Sequence, residues 1–231
     1  MRVSVCIATY NGEQYLQRQV DSVLSQIGAD DEIVISDDSS TDSTIHILEQ
    51  YKDNRIKVFD QQTFHSPVFN FENAIKHTTG DIIFLADQDD KWMDGRVAKA
   101  VSLHEKGFDL VICNARAVYK DHIQNYDYDP FARPYWQNLI KPMFVGCCMS
   151  FKRDILDMVL PFPKSIAMHD LWIGLLSQRN YCCIYIEEPL IEYNRHETSF
   201  VAKHPMSTMK RVQYRLNMLW QVMKREKEVK K

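Results

Sequence analysis

Three groups of carboxylates stand where side chains can do chemistry. Asp37-Asp38 closes the apolar run EIVIS, Asp87-Gln88-Asp89-Asp90 closes DIIFLA, and His169-Asp170 precedes LWIGLL. Like charges crowded at the end of a buried segment are costly unless a cation or a hydrogen-bond donor offsets them. If the chain stays extended past residue 86, Asp87 and Asp89 point to the same side. Hard oxygens so arranged suit Mg²⁺ or Mn²⁺, which completes its shell with water and diphosphate oxygens. Acidic residues after strands also serve as helix caps and solvated turns. That reading stays open for Asp37-Asp38, because Ser39-Ser40-Thr41-Asp42 follows and can cap a helix. Asp87, Asp89 and Asp90, packed together and followed by Trp92, favour binding of a metal and a ligand.

The segments around these carboxylates alternate between strand and helix character. Residues 2–8, 32–36, 56–59, 81–86 and 109–113 are rich in strand-forming aliphatic residues. Between them, 14–26, 45–51, 68–77 and 96–105 repeat apolar positions at helical spacing. This alternation predicts an α/β fold on a mainly parallel sheet covered on both faces, with ligands beyond the carboxyl ends of the strands. The first two acidic groups fall at such ends. After Tyr119 the rhythm breaks: 120–142 is a polar, aromatic excursion, 144–151 a strand and 154–159 a short helix. A helix over 169–178 and short strands over 182–186 and 190–193 follow. From Met206 onwards, Met209, Val212, Leu216, Leu219 and Met223 mark one apolar helical face, with Lys210, Arg211, Arg215, Lys224 and Arg225 opposite. The expected units are 1–119, 120–205 and a terminal amphipathic helix at 206–231.

Composition narrows the function. With 231 residues, 45% hydrophobic and 26% charged, the chain is an ordinary globular one that needs no disulfide or structural metal to fold. Its six cysteines form no C-x-x-C and lie in apolar runs, so they are expected to be small buried hydrophobes of a reducing compartment. The seven glycines, at 12, 28, 80, 95, 107, 146 and 174, are too scattered for a G-x-G-x-x-G turn or a glycine-rich phosphate loop. A phosphorylated ligand must therefore be neutralised by something else. From Lys203 onwards there are nine Lys/Arg and two Asp/Glu, whereas the rest has 19 and 29. An acidic body does not invite nucleic acid, while a basic end suits an anionic membrane surface. No signal peptide and no apolar run of about 18 residues is visible, so a cytoplasmic protein is expected, with any membrane contact peripheral and at the inner face. The terminal helix fits lipid and protein contact equally, and oligomeric state stays open.

The segments IATYNGEQYL, ISDDSSTDST, NAIKHTTGDIIFLADQDDKW and HDLW, in this order, resemble family 2 glycosyltransferases of the GT-A fold, a Rossmann-like α/β architecture. The chained N-terminal set is specific; the C-terminal likeness, through HDLW and YNRHETSF, is looser. Where many relatives have a glycine after the aspartate pair, this chain has Ser39. The resemblance implies that Ala8, Thr9, Tyr10 and Glu13 line the nucleotide pocket and that Asp38, with Asp37, reads a pyrimidine edge. It implies that Asp87 meets the ribose and that Asp89 or Asp90 holds Mn²⁺ or Mg²⁺, with His196 able to approach the metal–diphosphate. Asp170 matches the catalytic base.

The implied reaction is inverting transfer of a sugar from a UDP- or dTDP-linked donor, rhamnosyl or hexosyl, to a glycan or lipid-linked acceptor in cell-surface polysaccharide assembly. A non-catalytic nucleotide-sugar binder would need no base, and a nucleotidyltransferase is expected to carry a glycine-rich N-terminal loop. His169 either orients Asp170, contacts acceptor or makes a local hydrogen bond. Trp92 is expected to pack rather than stack on sugar. Arg96 is expected at a helix start facing solvent, with a reach to diphosphate as the alternative. Asn73 is a candidate for positioning the DQDD loop, and Cys147-Cys148 for the acceptor-side wall.

Overall fold

A computed structural model of the chain describes residues 1–126, 129–195 and 208–229. Strands β1 (Val3–Thr9), β2 (Glu32–Asp37), β3 (Ile56–Phe59) and β4 (Ile82–Asp87) alternate with helices α1 (Leu16–Leu24), α2 (Thr44–Gln50) and α3 (Pro67–Lys76). Strand β5 (Lys91–Trp92), helix α4 (Arg96–Glu105), β6 (Leu110–Val118), β7 (Ile123–Asn125) and α5 (Tyr135–Ile140) follow. Then come β8 (Met149–Lys152), α6 (Leu156–Val159), α7 (His169–Asn180), β9 (Cys183–Asn194) and α8 (Thr208–Val229). The described strands form one sheet in the order β3-β2-β1-β4-β8-β6-β9-β5, with β7 on β6. Pairings among β1, β2, β3 and β4 are parallel, and β8 enters antiparallel between β4 and β6.

The buried strands explain the apolar runs. Val5, Cys6, Ile7, Ile33, Val34, Ile35 and Ile82 to Ala86 are sealed on both faces, as parallel strands under helices must be. Helix α1 turns Leu16, Gln19, Val20 and Val23 inward at intervals of three and four. Helix α3 starts with Pro67 in its first turn, where the missing N–H costs nothing. Helix α7 is buried nearly all round, from His169 to Ser177. Gly174 makes this packing feasible, because a Cβ there would lie 2.4 Å from the Phe144 ring.

Several expectations shift. The strand over 144–151 begins only at Met149, since Gly146–Cys148 forms a 3-10 turn. The two short strands near the C-terminal end are one, β9, running parallel to β6 with register shifts at Cys113/Asn114 and Asn114/Arg116. Cys6, Cys113, Cys147 and Cys148 are buried, but Cys182 is exposed and Cys183 half-buried, because the turn into β9 lies at the surface. The apolar stripe marked on α8 is not the face that docks on the body. Met218, Val222 and Glu226 are buried against the body, whereas Met209, Val212, Leu216 and Met223 face solvent. Charged groups settle that orientation: Arg179 Nε donates to Glu226 Oε1 at 2.6 Å, and Arg225 donates to the carbonyls of Met158, Leu160 and Pro161.

At the amino end of the parallel strands sits a compensated buried carboxylate, Glu32. Its oxygens accept from Ser4 Oγ (2.6 Å), Lys57 Nζ (2.6 Å) and the N–H and hydroxyl of Thr79 (2.5 and 2.9 Å). Burial alone raises its pKa, but Lys57 and these donors together bring it down to about 2. The depressed pKa adds stability above the unfolded value near 4.3, which is lost as pH falls through 2. Glu32→Gln is therefore expected to cost about 2–3 kcal/mol at pH 7, narrowing towards pH 2, in urea unfolding followed across pH.

Candidate active site

At the opposite, carboxyl end of the sheet, β1 pairs with both neighbours so that Thr9 faces Asp37 and Ala8 faces Asp87. Side chains then tie the loops together. Asp37, buried, accepts from Thr9 Oγ1 (2.6 Å) and from the N–H (2.7 Å) and hydroxyl (2.6 Å) of Ser40. Asp38 accepts from the N–H groups of Phe64 (2.6 Å) and Ser66 (3.1 Å), which fixes the loop before α3. Ser39 between them takes φ +60, the left-handed conformation that favours glycine, and its hydroxyl donates to Gln62 O at 2.7 Å. Glu13 Oε2 accepts from Ser43 N at 2.8 Å, at the start of α2. Gln88 clasps the exposed Tyr10 on both backbone groups, accepting from its N–H at 2.9 Å and donating to its carbonyl at 3.1 Å. Gly12 leaves room for this clasp, since a Cβ there would stand 2.3 Å from Gln88 Oε1 and displace the Gln88 amide.

The DQDD run does not continue as an extended strand. It turns after Asp87, and this brings Asp90, rather than Asp89, against Asp87: ligand atoms of Asp87, Asp90 and Cys147 lie within 4.8 Å of one another. Asp90 is wholly buried, and its Oδ1 accepts from Asn194 N at 3.0 Å. No hydrogen bond of good geometry reaches Oδ2 among the described residues, the nearby Cys147 thiol being the only donor whose influence it feels besides the backbone. Burial and the charges of Asp87 and Asp89 push the Asp90 carboxyl well up. Burial, then Asp89 and Asp170, raise Asp87 to about 7. A buried carboxylate oxygen with no hydrogen bond of good geometry, next to another carboxylate, is what a divalent cation would satisfy, so these residues fit the expected metal. Asp89 lies beside the pair, close enough for its charge to raise both.

Asp170, in the first turn of α7, closes the site from the other side. Its Oδ1 accepts from Leu171 N at 2.6 Å, and the N–H of Gly146 also donates to the carboxylate. Burial raises it to about 6, against these donors and the positive charge of Arg215. His169 makes neither the contact with Asp170 nor the local hydrogen bond. Both its ring nitrogens are buried without a partner among the described residues, the ring lies 4.3 Å from that of Phe71, and burial lowers its pKa to about 3. A Cβ on Gly146 would stand 2.8 Å from His169 Nε2, so Gly146 lets the turn and the helix close on each other.

Other expectations are corrected here. Arg96 is 1% exposed, not at the surface; its guanidinium donates to Leu85 O and Cys147 O and lies 4.4 Å from the Trp92 ring centroid. It supports the floor of the cluster and does not point out to a diphosphate. Trp92 packs, as expected, 2% exposed against Phe84. Asn73 donates to Ser36 Oγ at the end of β2 and not to the DQDD loop. The residue that reaches the β1 end is Asn70, whose Nδ2 donates to Thr9 O at 3.0 Å. His196 lies outside the described residues.

Gln88, Asn70 and Tyr193 also belong to the site, and neither Asn70 nor Tyr193 carries a local signal in the sequence. Tyr193, on β9, has its hydroxyl pushed up by burial and by Cys147 and Asp87 beside it. Gln88 is the one with a signal: it sits inside the acidic run.

This mixed α/β sheet, curled and flanked by helices, with an acidic cluster at its carboxyl edge, is the GT-A type of glycosyltransferase fold. It superposes on TarS 1–349 of S. aureus in complex with UDP-GlcNAc with TM-score 0.77 at 19% identity, covering 93% of this chain and 64% of that one. A mannosyltransferase from Pyrobaculum calidifontis, in complex with GDP-Man and Mn²⁺, gives 0.69 at 20% identity, over 96% and 64%. Residues 4–160 match the family model "Glycosyl transferase family 2", and the chain belongs to that family.

Its relatives include the putative glycosyltransferase EpsE of Bacillus subtilis (strain 168), 35% identical over 108 residues, 46% of this chain and 39% of EpsE. The dTDP-rhamnosyl transferase RfbG of Shigella flexneri is 26% identical over 211 residues, 84% of this chain and 73% of RfbG. WfgD of Escherichia coli, a UDP-Glc:alpha-D-GlcNAc-diphosphoundecaprenol beta-1,3-glucosyltransferase, is 26% identical over 188 residues, 79% and 72%. The chain thus spans about two fifths of EpsE and under two thirds of TarS 1–349.

The raised Asp170 pKa has a testable consequence. A carboxyl with a folded pKa of about 6 and an unfolded one near 3.9 stabilises the fold below pH 4 and loses that contribution as pH rises through 6. In metal-free buffer, Asp170→Asn should therefore be more stable than the parent by about 1–3 kcal/mol at pH 7.5, with the gap closing towards pH 4 in thermal unfolding.

Proposed function

We propose that the chain is an inverting glycosyltransferase that moves a sugar from a UDP- or dTDP-linked donor to a hydroxyl of a glycan or lipid-linked acceptor in cell-surface polysaccharide biosynthesis. One observation carries this reading: a crowded carboxylate cluster, Asp87 and Asp90 with Asp89 beside them, lies near a separate carboxylate, Asp170, raised to about 6. Residues 1–119 supply the donor side, with Ala8, Thr9, Tyr10, Glu13, Asp37 and Asp38 around the nucleotide. Residues 120–205 supply the acceptor side. The names of RfbG and WfgD support a pyrimidine nucleotide.

When bound to Asp90 and Asp87, a Mn²⁺ or Mg²⁺ ion supplies Lewis acidity for the leaving diphosphate, and a thiol from Cys147 in the set suits Mn²⁺ better than Mg²⁺. Asp170 accepts the proton of the acceptor hydroxyl as that oxygen attacks the anomeric carbon from the face opposite the diphosphate. The new C–O bond forms, the bond to diphosphate breaks, and the electron pair leaves on the diphosphate oxygen. A base with pKa about 6 takes the proton more readily than an ordinary aspartate and remains ionised at neutral pH. The N–H groups of Leu171 and Gly146 hold the carboxylate in place. Among the described residues no helix is long and apolar enough to cross a membrane, and the exposed face of α8 suits peripheral contact with an anionic one.

Thermal unfolding with UDP, dTDP and GDP, with and without Mn²⁺, tests the donor site. The two pyrimidine diphosphates should raise Tm by several degrees only with Mn²⁺, and Asp90→Asn should abolish the Mn²⁺-dependent part. No stabilisation by either pyrimidine diphosphate overturns the reading. Asp170→Asn should keep donor binding while transfer falls by about a hundredfold or more; retained transfer removes Asp170 as the base.

A further inference from the structure

Strand β1 pairs with β4 as far as Ala8 and Asp87, and with β2 as far as Thr9 and Asp37. Asp38 N donates to Thr9 O on the β2 side at 3.0 Å, so the backbone groups of Tyr10, one residue on, face the β4 side. There the main chain has already turned away to carry Asp90 back against Asp87. The Gln88 side chain takes its place. Its Oε1 accepts from Tyr10 N at 2.9 Å and its Nε2 donates to Tyr10 O at 3.1 Å. A primary amide offers the same acceptor and donor as a peptide group, so Gln88 adds one rung to the sheet while its backbone is left to turn. Asparagine is one methylene shorter, and a glutamate could not donate to the Tyr10 carbonyl.

The loop that Gln88 grips is anchored on its other side to the segment after β2. Asn11 N donates to Ser40 Oγ at 2.8 Å, Asn11 Oδ1 accepts from Thr41 N at 2.8 Å, and Glu13 Oε2 accepts from Ser43 N at 2.8 Å. Ser40 in turn donates twice to Asp37. Residues 10–13 therefore form a strap from the Asp37-Asp38 side to the acidic turn. Tyr10 is 56% exposed on this strap, where a ligand can settle on it. The acidic turn has a second brace, since Arg18 of α1 donates to Asp89 O at 2.9 Å. Both braces hold the turn against the repulsion of the carboxylates it gathers. Gln88 alone of the two also grips the strap.

We propose that Gln88 is a positioning residue that couples the two halves of the donor site. A nucleoside settled against Tyr10 and a cation held at Asp87 and Asp90 strengthen each other through the amide clasp, with no contact between the two ligands. Each ligand fixes one side of a joint that the other needs in place, so the second meets a site already prepared. The inference rests on the transferase reading above, which puts the nucleotide at Tyr10 and the cation at the acidic turn. It adds the link between them and the residue that makes it.

Mn²⁺ binding to the full chain, followed by the paramagnetic resonance of the free ion with and without saturating uridine, tests this. Uridine carries base and ribose but no phosphate that could reach the ion. In the parent, uridine should tighten Mn²⁺ about fivefold or more, and Mn²⁺ should tighten uridine by the same factor. Gln88→Met keeps the length of the side chain and removes both hydrogen bonds; it should lose this effect while uridine still binds in metal-free buffer. Gly12→Ala, which displaces the Gln88 amide and leaves the acidic run intact, should lose it too. Ser22→Ala removes the hydrogen bond to Trp92 N just past the turn, 3.0 Å long, and should keep the effect. Should Gln88→Met lower the Tm of the ligand-free protein, Gly12→Ala decides. An Mn²⁺ affinity unmoved by uridine in the parent overturns the proposal, as does an effect kept in Gly12→Ala or lost in Ser22→Ala. Loss of uridine binding itself in metal-free Gln88→Met also overturns it, for the residue then only shapes the base pocket. If neither uridine nor UDP binds the parent, the donor-site reading fails and the coupling falls with it.

Discussion

Everything at the working end of this fold answers to the cost of burying like charges at the end of β4. Asp87 and Asp90 are held together inside a protein whose sheet edge offers them few donors, and Asp89 and Asp170 add further negative charge nearby. Contrast Glu32 at the other end of the same sheet, buried like Asp90 but surrounded by Lys57, Ser4 and Thr79. One end is compensated and contributes stability; the other is left unsatisfied, at a cost that a bound cation can offset. The supporting structure follows from that cost. Arg96 braces the floor through the carbonyls of Leu85 and Cys147, Gln88 ties the DQDD turn to the end of β1, and Asn194 donates to Asp90.

The acceptor side is assembled differently, by helix packing. Asp170 depends on where α7 begins, and α7 is placed by Trp172 bonding Val159 O and by Gly174 admitting the Phe144 ring. Helix α8 then docks against α7 and the segment before it. Its polar clamps, Glu226 with Arg179 and Arg225 with the carbonyls of 158, 160 and 161, set both its rotation and its axial position. That rotation buries Met218 and Val222 and leaves Met209, Val212 and Leu216 facing outward.

Much of the framework was legible because parallel strands under helices leave strong marks: β3 and α4 lie on the predicted residues, and the acidic groups fall at strand ends as expected. Legibility failed where a residue's partner is distant in sequence. Arg96 looked like a solvent-facing helix start because nothing local shows that the carbonyl of Cys147, fifty-one residues on, awaits it. Hydrophobic spacing on α8 leaves open which face docks, and an ion pair and carbonyl contacts with distant residues decide it. The expectation that Asp87 and Asp89 project together failed because the chain turns after β4, which puts Asp90 in the cluster.

The sequence by itself determined the fold class, the family and the kind of chemistry, because strand and helix periodicity and a chained set of short motifs are local properties. Only the tertiary structure decided which carboxylates meet, that Cys147 and Tyr193 join them, and that both ring nitrogens of His169 are buried without a partner among the described residues. Those facts depend on register between elements far apart in the chain. Register is set by buried hydrogen bonds, close glycine contacts and helix packing, none of which is written in any one segment.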